Sequence, residues 1–325
     1  MPPLLSVVED TDDYTRSIAG VEIDVVRTGP GSGPSVVRAV STDRTMVSAA
    51  SIRFPMLTHT TIGEDHIVTG FVKAAPSGAR WCEIDLLPGM VLAYSPGAEH
   101  TGINPEGLDF SFVVSRTRDL QQVADKLKSD FRPPPSGEVH ALAPSPETIR
   151  LGRTLAAHLD GAAEGIAPTD HLEDILLHAM VRILADDRRE ERIGARRKIN
   201  DRRVAHDCIA YAESVGRVPS IRELCDAAHV SERRLRTAFA ATFGMSPGRF
   251  FRVWALDVAR KRLAGADSGE ASVTSVAIDL GISHVGRFAG RYRAVYGESP
   301  SETLRSNRRP QPARPVLDVH GSVGR

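Results

Sequence analysis

The chain has 325 residues, 41% apolar and 25% charged, with Lys+Arg and Asp+Glu equal at 41 each. That length makes about two domains, enough for a core without metal or disulfide staples, and the composition excludes a disordered chain. Three cysteines (Cys82, Cys208, Cys225) are too few and too scattered for a disulfide framework or a four-ligand zinc site, no apolar stretch approaches the ~20 residues of a membrane helix, and the acidic start lacks a basic n-region; a cytoplasmic protein with no membrane contact is expected.

The zero net charge hides an asymmetry. Residues 1–195 hold 18 Lys+Arg against 28 Asp+Glu, a net of −10, whereas residues 196–310 hold 21 against 12, a net of +9; the last fifteen residues add +1. A basic part of this size fits a polyanion partner, leaving the acidic part another task.

In chain order, residues 1–19 read as a loose N-terminal arm. A β-rich domain with flanking helices follows over 20–186. Its short apolar runs at 21–26, 35–40, 46–52, 66–71, 81–87, 90–94 and 108–114 are separated by turn signals such as Pro88-Gly89 and Asn104-Pro-Glu-Gly107, a spacing that suggests a small barrel or jelly roll. Helices are expected at about 145–160 and 169–186. In the second, Leu172, Leu176, Ala179 and Ile183 form an apolar stripe that serves either a homodimer seam or packing onto the parent domain. The charged stretch 187–203 reads as a linker, 204–309 as an all-α domain, and 310–325 as a disordered tail.

The all-α part contains an internal repeat. Ser220-Ile-Arg-Glu-Leu-Cys to His229-Val-Ser231 matches Ser272-Val-Thr-Ser-Val-Ala to Gly281-Ile-Ser283 at an offset of 52, and Leu235, Phe239, Gly244 and Pro247 match Phe288, Tyr292, Gly297 and Pro300 at 53. Each copy has the logic of a helix–turn–helix. A short helix carries apolar residues at i and i+3 beside a small one, Cys225 or Ala277. A serine suited to an N-cap (Ser231, Ser283) opens a second helix with an apolar i, i+4 pair, and a glycine suited to end it follows. Residues 247–264 read as one helix joining the copies, roughly 27 Å long, close to the ~34 Å between successive major-groove faces.

Residues 220–305 resemble the two helix–turn–helix subdomains of the AraC/XylS family of bacterial transcription regulators, most closely in Gly281-Ile282-Ser283, Phe288 and the run Tyr296-Gly-Glu-Ser-Pro-Ser-Glu-Thr-Leu-Arg305. More weakly, Pro88-Gly89 to His100 is similar to the strand–turn–strand of that family's cupin-like sensor domain. The resemblance implies an α+β multidomain protein, with an N-terminal β-rich cupin-like (jelly-roll) domain and a C-terminal all-α domain of two helix–turn–helix subdomains. It implies double-stranded DNA as partner, an unidentified small-molecule effector, RNA polymerase if the protein activates, and a homodimer. Arg233, Arg236 and Thr237 would read bases from the first copy, with Arg234 flanking. Arg287 would do so from the second, with His284 and Arg291 on the same face. Helix-start amides near Ser231 and Ser283, with Arg252, Arg293 and Arg305, would hold phosphates. Two positions depart from the family pattern: His229 stands where the first turn usually has glycine, which would strain a left-handed turn, and Gly290 stands where the second reading helix often has a basic residue.

No catalytic residue, cofactor or metal site is expected. His59, His66 and His100, with Glu64 and Glu99, lack His-x-His spacing and read as loop or edge residues. Trp81, Phe71, Tyr94 and Phe112 line an apolar pocket or form plain core. The leading function is a sequence-specific, ligand-responsive transcription regulator, an activator. The alternatives are an enzyme whose basic domain localises it to nucleic acid, and a DNA-binding protein whose β domain oligomerises without sensing.

Overall fold

A computed structural model describes residues 4–8, 20–82, 84–133, 135–142, 144, 146–163, 172–185, 195–266 and 272–306. The strands are β1 (Leu4–Val8), β2 (Val21–Arg27), β3 (Ser35–Ser41), β4 (Thr45–Ile52), β5 (Met56–Ile62), β6 (His66–Ala74), β7 (Arg80–Trp81), β8 (Ile84–Asp85), β9 (Val91–Tyr94), β10 (Glu99–Asn104), β11 (Leu108–Arg116) and β12 (Val139–Leu142). They form two antiparallel sheets, of order β1-β3-β4-β11-β6-β9-β12 and β2-β5-β10-β7-β8. Alternating side chains explain the layering. Val37, Ala50, Leu92, Phe110 and Phe112 from the large sheet meet Val25, Met56 and Ile62 from the small one in a shared core. On its other face the large sheet presents Val47, Ile67, Phe71, Val91 and Val113 to helices.

Those helices are α1 (Thr117–Leu127), α2 (Pro146–Ala163) and α3 (Leu172–Ala185). The α3 stripe is used inside the chain: Leu172, Leu176 and Ile183 are buried in the cluster with Leu120, Val123 and the back of the sheet. Arg44 ties the start of α3 to β4, reaching Glu173 at 2.5 Å and Asp174 at 2.9 Å. Of the two uses open to this stripe, packing onto the parent domain is the one adopted.

Three expectations are corrected. Part of the presumed loose arm is strand β1, paired along β3 from Leu4 opposite Ala39 to Val8 opposite Ser35; Leu-Leu-Ser-Val-Val suits an edge strand. Part of the presumed linker is helix α4 (Ala195–Val215), whose Val204, Ala205, Cys208 and Ala212 are buried small or β-branched residues. Finally, His59 stands in the middle of β5 and His100 is the second residue of β10, both paired, since β5 and β10 are adjacent in the small sheet. The segments 186–194 and 307–325, including the expected tail, lie outside the described residues.

The remaining helices are α5 (Ile221–Ala227), α6 (Glu232–Phe243), α7 (Pro247–Ala264), α8 (Val273–Asp279), α9 (Val285–Tyr296) and α10 (Pro300–Ser306). They carry the basic repeat. Among the described residues no helix is long and apolar enough to cross a membrane.

Candidate nucleic-acid interface

The two copies of the repeat are built by the same local devices. Ser220 and Ser272 each close a capping box, accepting from the amides of Glu223 (3.2 Å) and Ser275 (2.9 Å) while those side chains bond back. The turns that follow both need a left-handed residue: His229 sits at φ 51° and Gly281 at φ 76°. Each chain then enters its second helix, which ends on a left-handed glycine, Gly244 or Gly297. The caps differ at one place. Ser231 caps α6 by accepting from the Arg234 amide, but α9 starts from His284, with no side-chain cap bond. Ser283 is therefore not the N-cap expected of it; the extra residue in the second copy shifts the helix start past it.

Helix α7 is the axle between the copies. Its Phe250, Phe251, Trp254 and Ala255 pack with Leu224, Leu235 and Phe239 of the first copy. Its Leu256, Ala259 and Leu263 pack with Val276, Phe288 and Tyr292 of the second. The Tyr292 hydroxyl lies 2.8 Å from Thr303 Oγ1, which donates to Glu298 at 2.7 Å; Arg260 of α7 donates to the same carboxylate and lies over the Tyr296 ring at 4.6 Å. Polar and apolar contacts thus fix α9 and α10 to α7.

With Leu235, Phe239, Phe288 and Tyr292 turned inward, the opposite faces of α6 and α9 are open. Arg233, Arg236 and Thr237 are exposed on the first; Gly286, Arg287, Gly290, Arg291 and Arg293 are exposed on the second, with Ser283 and His284 at its start. Arg236 is held along its helix by Glu232 at 2.5 Å, and Thr237 donates to the Arg233 carbonyl at 3.0 Å. Arg234 differs: it is half-buried and forms an ion pair with Asp201 of α4, so its guanidinium points into the domain.

The small sheet relates this domain to the β domain. Register sets Val26, Leu57 and Ile103 in one row across β2, β5 and β10, and Asp24, His59 and Thr101 in the next row of the same face. The first row packs into the cluster of Phe239, Phe243 and Phe250. In the second, the His59 ring meets the edge of His206 of α4 at 4.3 Å. Burial first, then His59 and Arg202, hold the His206 imidazole down at about 4.

The other face of the same strands lines a cavity with about 510 Å³ of empty space, counting its open mouth. Its walls include Ile23, Thr58, Trp81, Tyr94, His100 and Phe112. Trp81 donates to Asn104 (2.7 Å), and Asn104 to Thr58 (3.1 Å). Two buried polar atoms, Tyr94 Oη and His100 Nδ1, have no hydrogen-bond partner among the described residues. Burial, then His59 and Arg202, lower the His100 imidazole to about 3, and burial raises the Tyr94 phenol well above its usual range. Both groups are therefore neutral at pH 7. Of the aromatic residues proposed for a pocket, Trp81, Tyr94 and Phe112 line it; Phe71 does not, because it alternates onto the helix-covered face. Sequence reading passed over Thr58, took His100 for a loop or edge residue and placed Asn104 in a turn, because β5 and β10 are too polar to register as apolar runs.

Residues 224–306 match the family model described as a helix-turn-helix domain. The chain is 40% identical over 93 residues to XylDLEGF operon transcriptional activator 1 of Pseudomonas putida, covering 29% of this chain and 28% of that protein. It is 39% identical over 92 residues to XylDLEGF operon transcriptional activator 2 of the same organism, covering 28% of this chain and 59% of that one. The chain thus spans between about a quarter and three-fifths of the length of these relatives. A solved structure, a probable AraC family transcriptional regulator from Rhodopseudomonas palustris, aligns over 34% of this chain and 97% of that one with 31% identity and a TM-score of 0.29.

Proposed function

We propose that this chain, whose C-terminal domain belongs to the AraC/XylS family of transcription regulators, is a sequence-specific DNA-binding activator with two reading heads. The observation that carries the reading is the pair of repeated, capped helices α6 and α9, with apolar faces packed on one axle and cationic faces open. Arg233, Arg236 and Thr237 read base edges in one major groove, and Arg287, with His284 and Arg291, in the next. Helix-start amides near Ser231 and Ser283, with Arg293, hold phosphates. Gly286 and Gly290 leave α9 fewer polar side chains than α6, so the second head contributes less base discrimination. Such a protein works in the cytoplasm and, as an activator, contacts RNA polymerase.

The β domain serves as a sensor of jelly-roll type. Its cavity suits a neutral, mostly apolar molecule carrying hydrogen-bonding groups for Tyr94 and His100, because among the described residues no charged side chain lines it. The sheet that walls the cavity also seats the DNA-binding domain on its other face, so occupancy of one face is felt at the other.

Binding of the full chain to duplex DNA across a salt series tests the reading. Affinity should fall steeply with salt, log–log slope scaling with the phosphates engaged. Joint substitution of Arg233, Arg236 and Arg287 by alanine should remove preference among sequences while leaving weak, salt-dependent binding. Salt-independent binding would contradict it.

A further inference from the structure

The geometry points to a site for one divalent transition-metal ion, of the zinc class, formed by His59, Glu99 and His206 and shared between the β domain and the helical domain. One ligand atom from each of these residues lies within 4.8 Å of the other two. His59 and Glu99 share the outer face of the small sheet: Thr101 stands opposite His59 and Glu99 opposite Thr61, making the two diagonal neighbours across β5 and β10. His206 descends from α4, its ring edge-on to His59 at 4.3 Å. The site therefore exists only when the helical domain is seated on the sheet.

The donor set suits the ion. Zinc binds imidazole nitrogen and carboxylate oxygen at about 2.0–2.2 Å, which puts neighbouring ligand atoms of a tetrahedral site about 3.3 Å apart. Closing from 4.8 Å is a matter of side-chain rotation, and Glu99 is exposed and free to turn. Imidazole ligands select transition metals over calcium or magnesium. Among the described residues His59 Nδ1 is buried with no hydrogen-bond partner, a cost that a ligand bond at that nitrogen would remove. Around the site, Arg202 opposes a cation, whereas Asp24, directly across from His59 on β2, with Asp207 and Glu213, supplies opposite charge. Three protein ligands leave one position for water. An ion held there ties the first helix of the C-terminal domain to the sheet that walls the cavity, clamping the two domains together.

The test is titration of the full, chelator-stripped chain with Zn²⁺ by calorimetry and with Co²⁺ by visible absorption. One ion per chain is expected, with the Co²⁺ bands of a low-coordinate nitrogen–oxygen site. Since loss of a supporting residue around a metal ligand already weakens binding about 10–100-fold, His59→Ala, His206→Ala and Glu99→Gln should each weaken it at least about tenfold. His178→Ala, an exposed histidine on α3, should leave it unchanged. Circular dichroism checks that each variant is folded; Glu99→Gln, at an exposed position, decides the matter if a histidine variant is not. No stoichiometric binding by the wild-type chain, or binding equal in the folded Glu99→Gln variant and wild type, overturns the site. Neither outcome bears on DNA recognition, which is measured separately.

Discussion

His229 and Gly281 occupy the same left-handed turn in the two copies of the repeat, at φ 51° and φ 76°. In each, the following residue's amide closes the turn onto the preceding helix, Val230 onto the Cys225 carbonyl and Ile282 onto Ala277. The first copy therefore holds a side-chain-bearing residue in a conformation that costs L-residues about 1–2 kcal/mol. Glycine relieves that strain but loses more entropy on folding, about 0.5–1 kcal/mol. His229→Gly should stabilise the chain by about 0.5–1 kcal/mol in denaturant melts, and Gly281→Ala should destabilise it by about 1 kcal/mol. A destabilised His229→Gly would mean that the imidazole itself contributes to the turn.

Arg234 and Arg236 separate stability from recognition, although they are neighbours on one helix. Arg234 pairs with Asp201 inside the domain, whereas Arg236 is exposed beside Glu232. Arg236→Ala should cost about 1–3 kcal/mol of specific DNA binding and relax preference at one base pair. Arg234→Ala should lower the unfolding midpoint and leave base preference intact. Competition binding with single-base variants of the bound DNA distinguishes them; equal loss of preference in both would contradict the assignment.

Acid should loosen the first copy through Glu223. Hydrogen bonds from the Arg217 guanidinium first, and from the Ser220 amide and hydroxyl next, lower this carboxyl from 4.5 to about 2. A depressed carboxyl pKa stabilises the fold fully above about 4.5, and that contribution is lost as pH falls toward 2. Glu223→Gln should flatten the pH dependence of stability in that window, measured by thermal melts between pH 5 and 2. An unchanged slope would show that the pair is absent in solution.

Tyr94→Phe removes a buried hydroxyl that has no hydrogen-bond partner among the described residues. The free chain should gain about 1 kcal/mol of stability, because an unsatisfied buried polar group is costly. A loss of stability in the melt would show that the hydroxyl is already satisfied by water.

The helical domain was largely legible because its determinants are local: serine caps, left-handed turn residues and apolar pairs at helical spacing repeat at offsets of 52 and 53. The slip at Ser283 came from the one residue by which the copies differ. Strands β5 and β10 were not legible, because Thr58, Thr60, His100 and Asn104 face a cavity and His59 and Glu99 face another domain, so neither strand alternates apolar with polar. The third member of the metal cluster, His206, lies over a hundred residues from Glu99, and only the seating of α4 on the sheet brings them together.

Selection of bound DNA from a random duplex pool by the full chain measures the central claim most directly. Two reading helices on one axle predict a split motif, its halves about one helical turn (~10 base pairs) apart, with Arg236→Ala degrading one half and Arg287→Ala the other. Recovery of no motif, or of a single undivided motif weakened alike throughout by both substitutions, would contradict it.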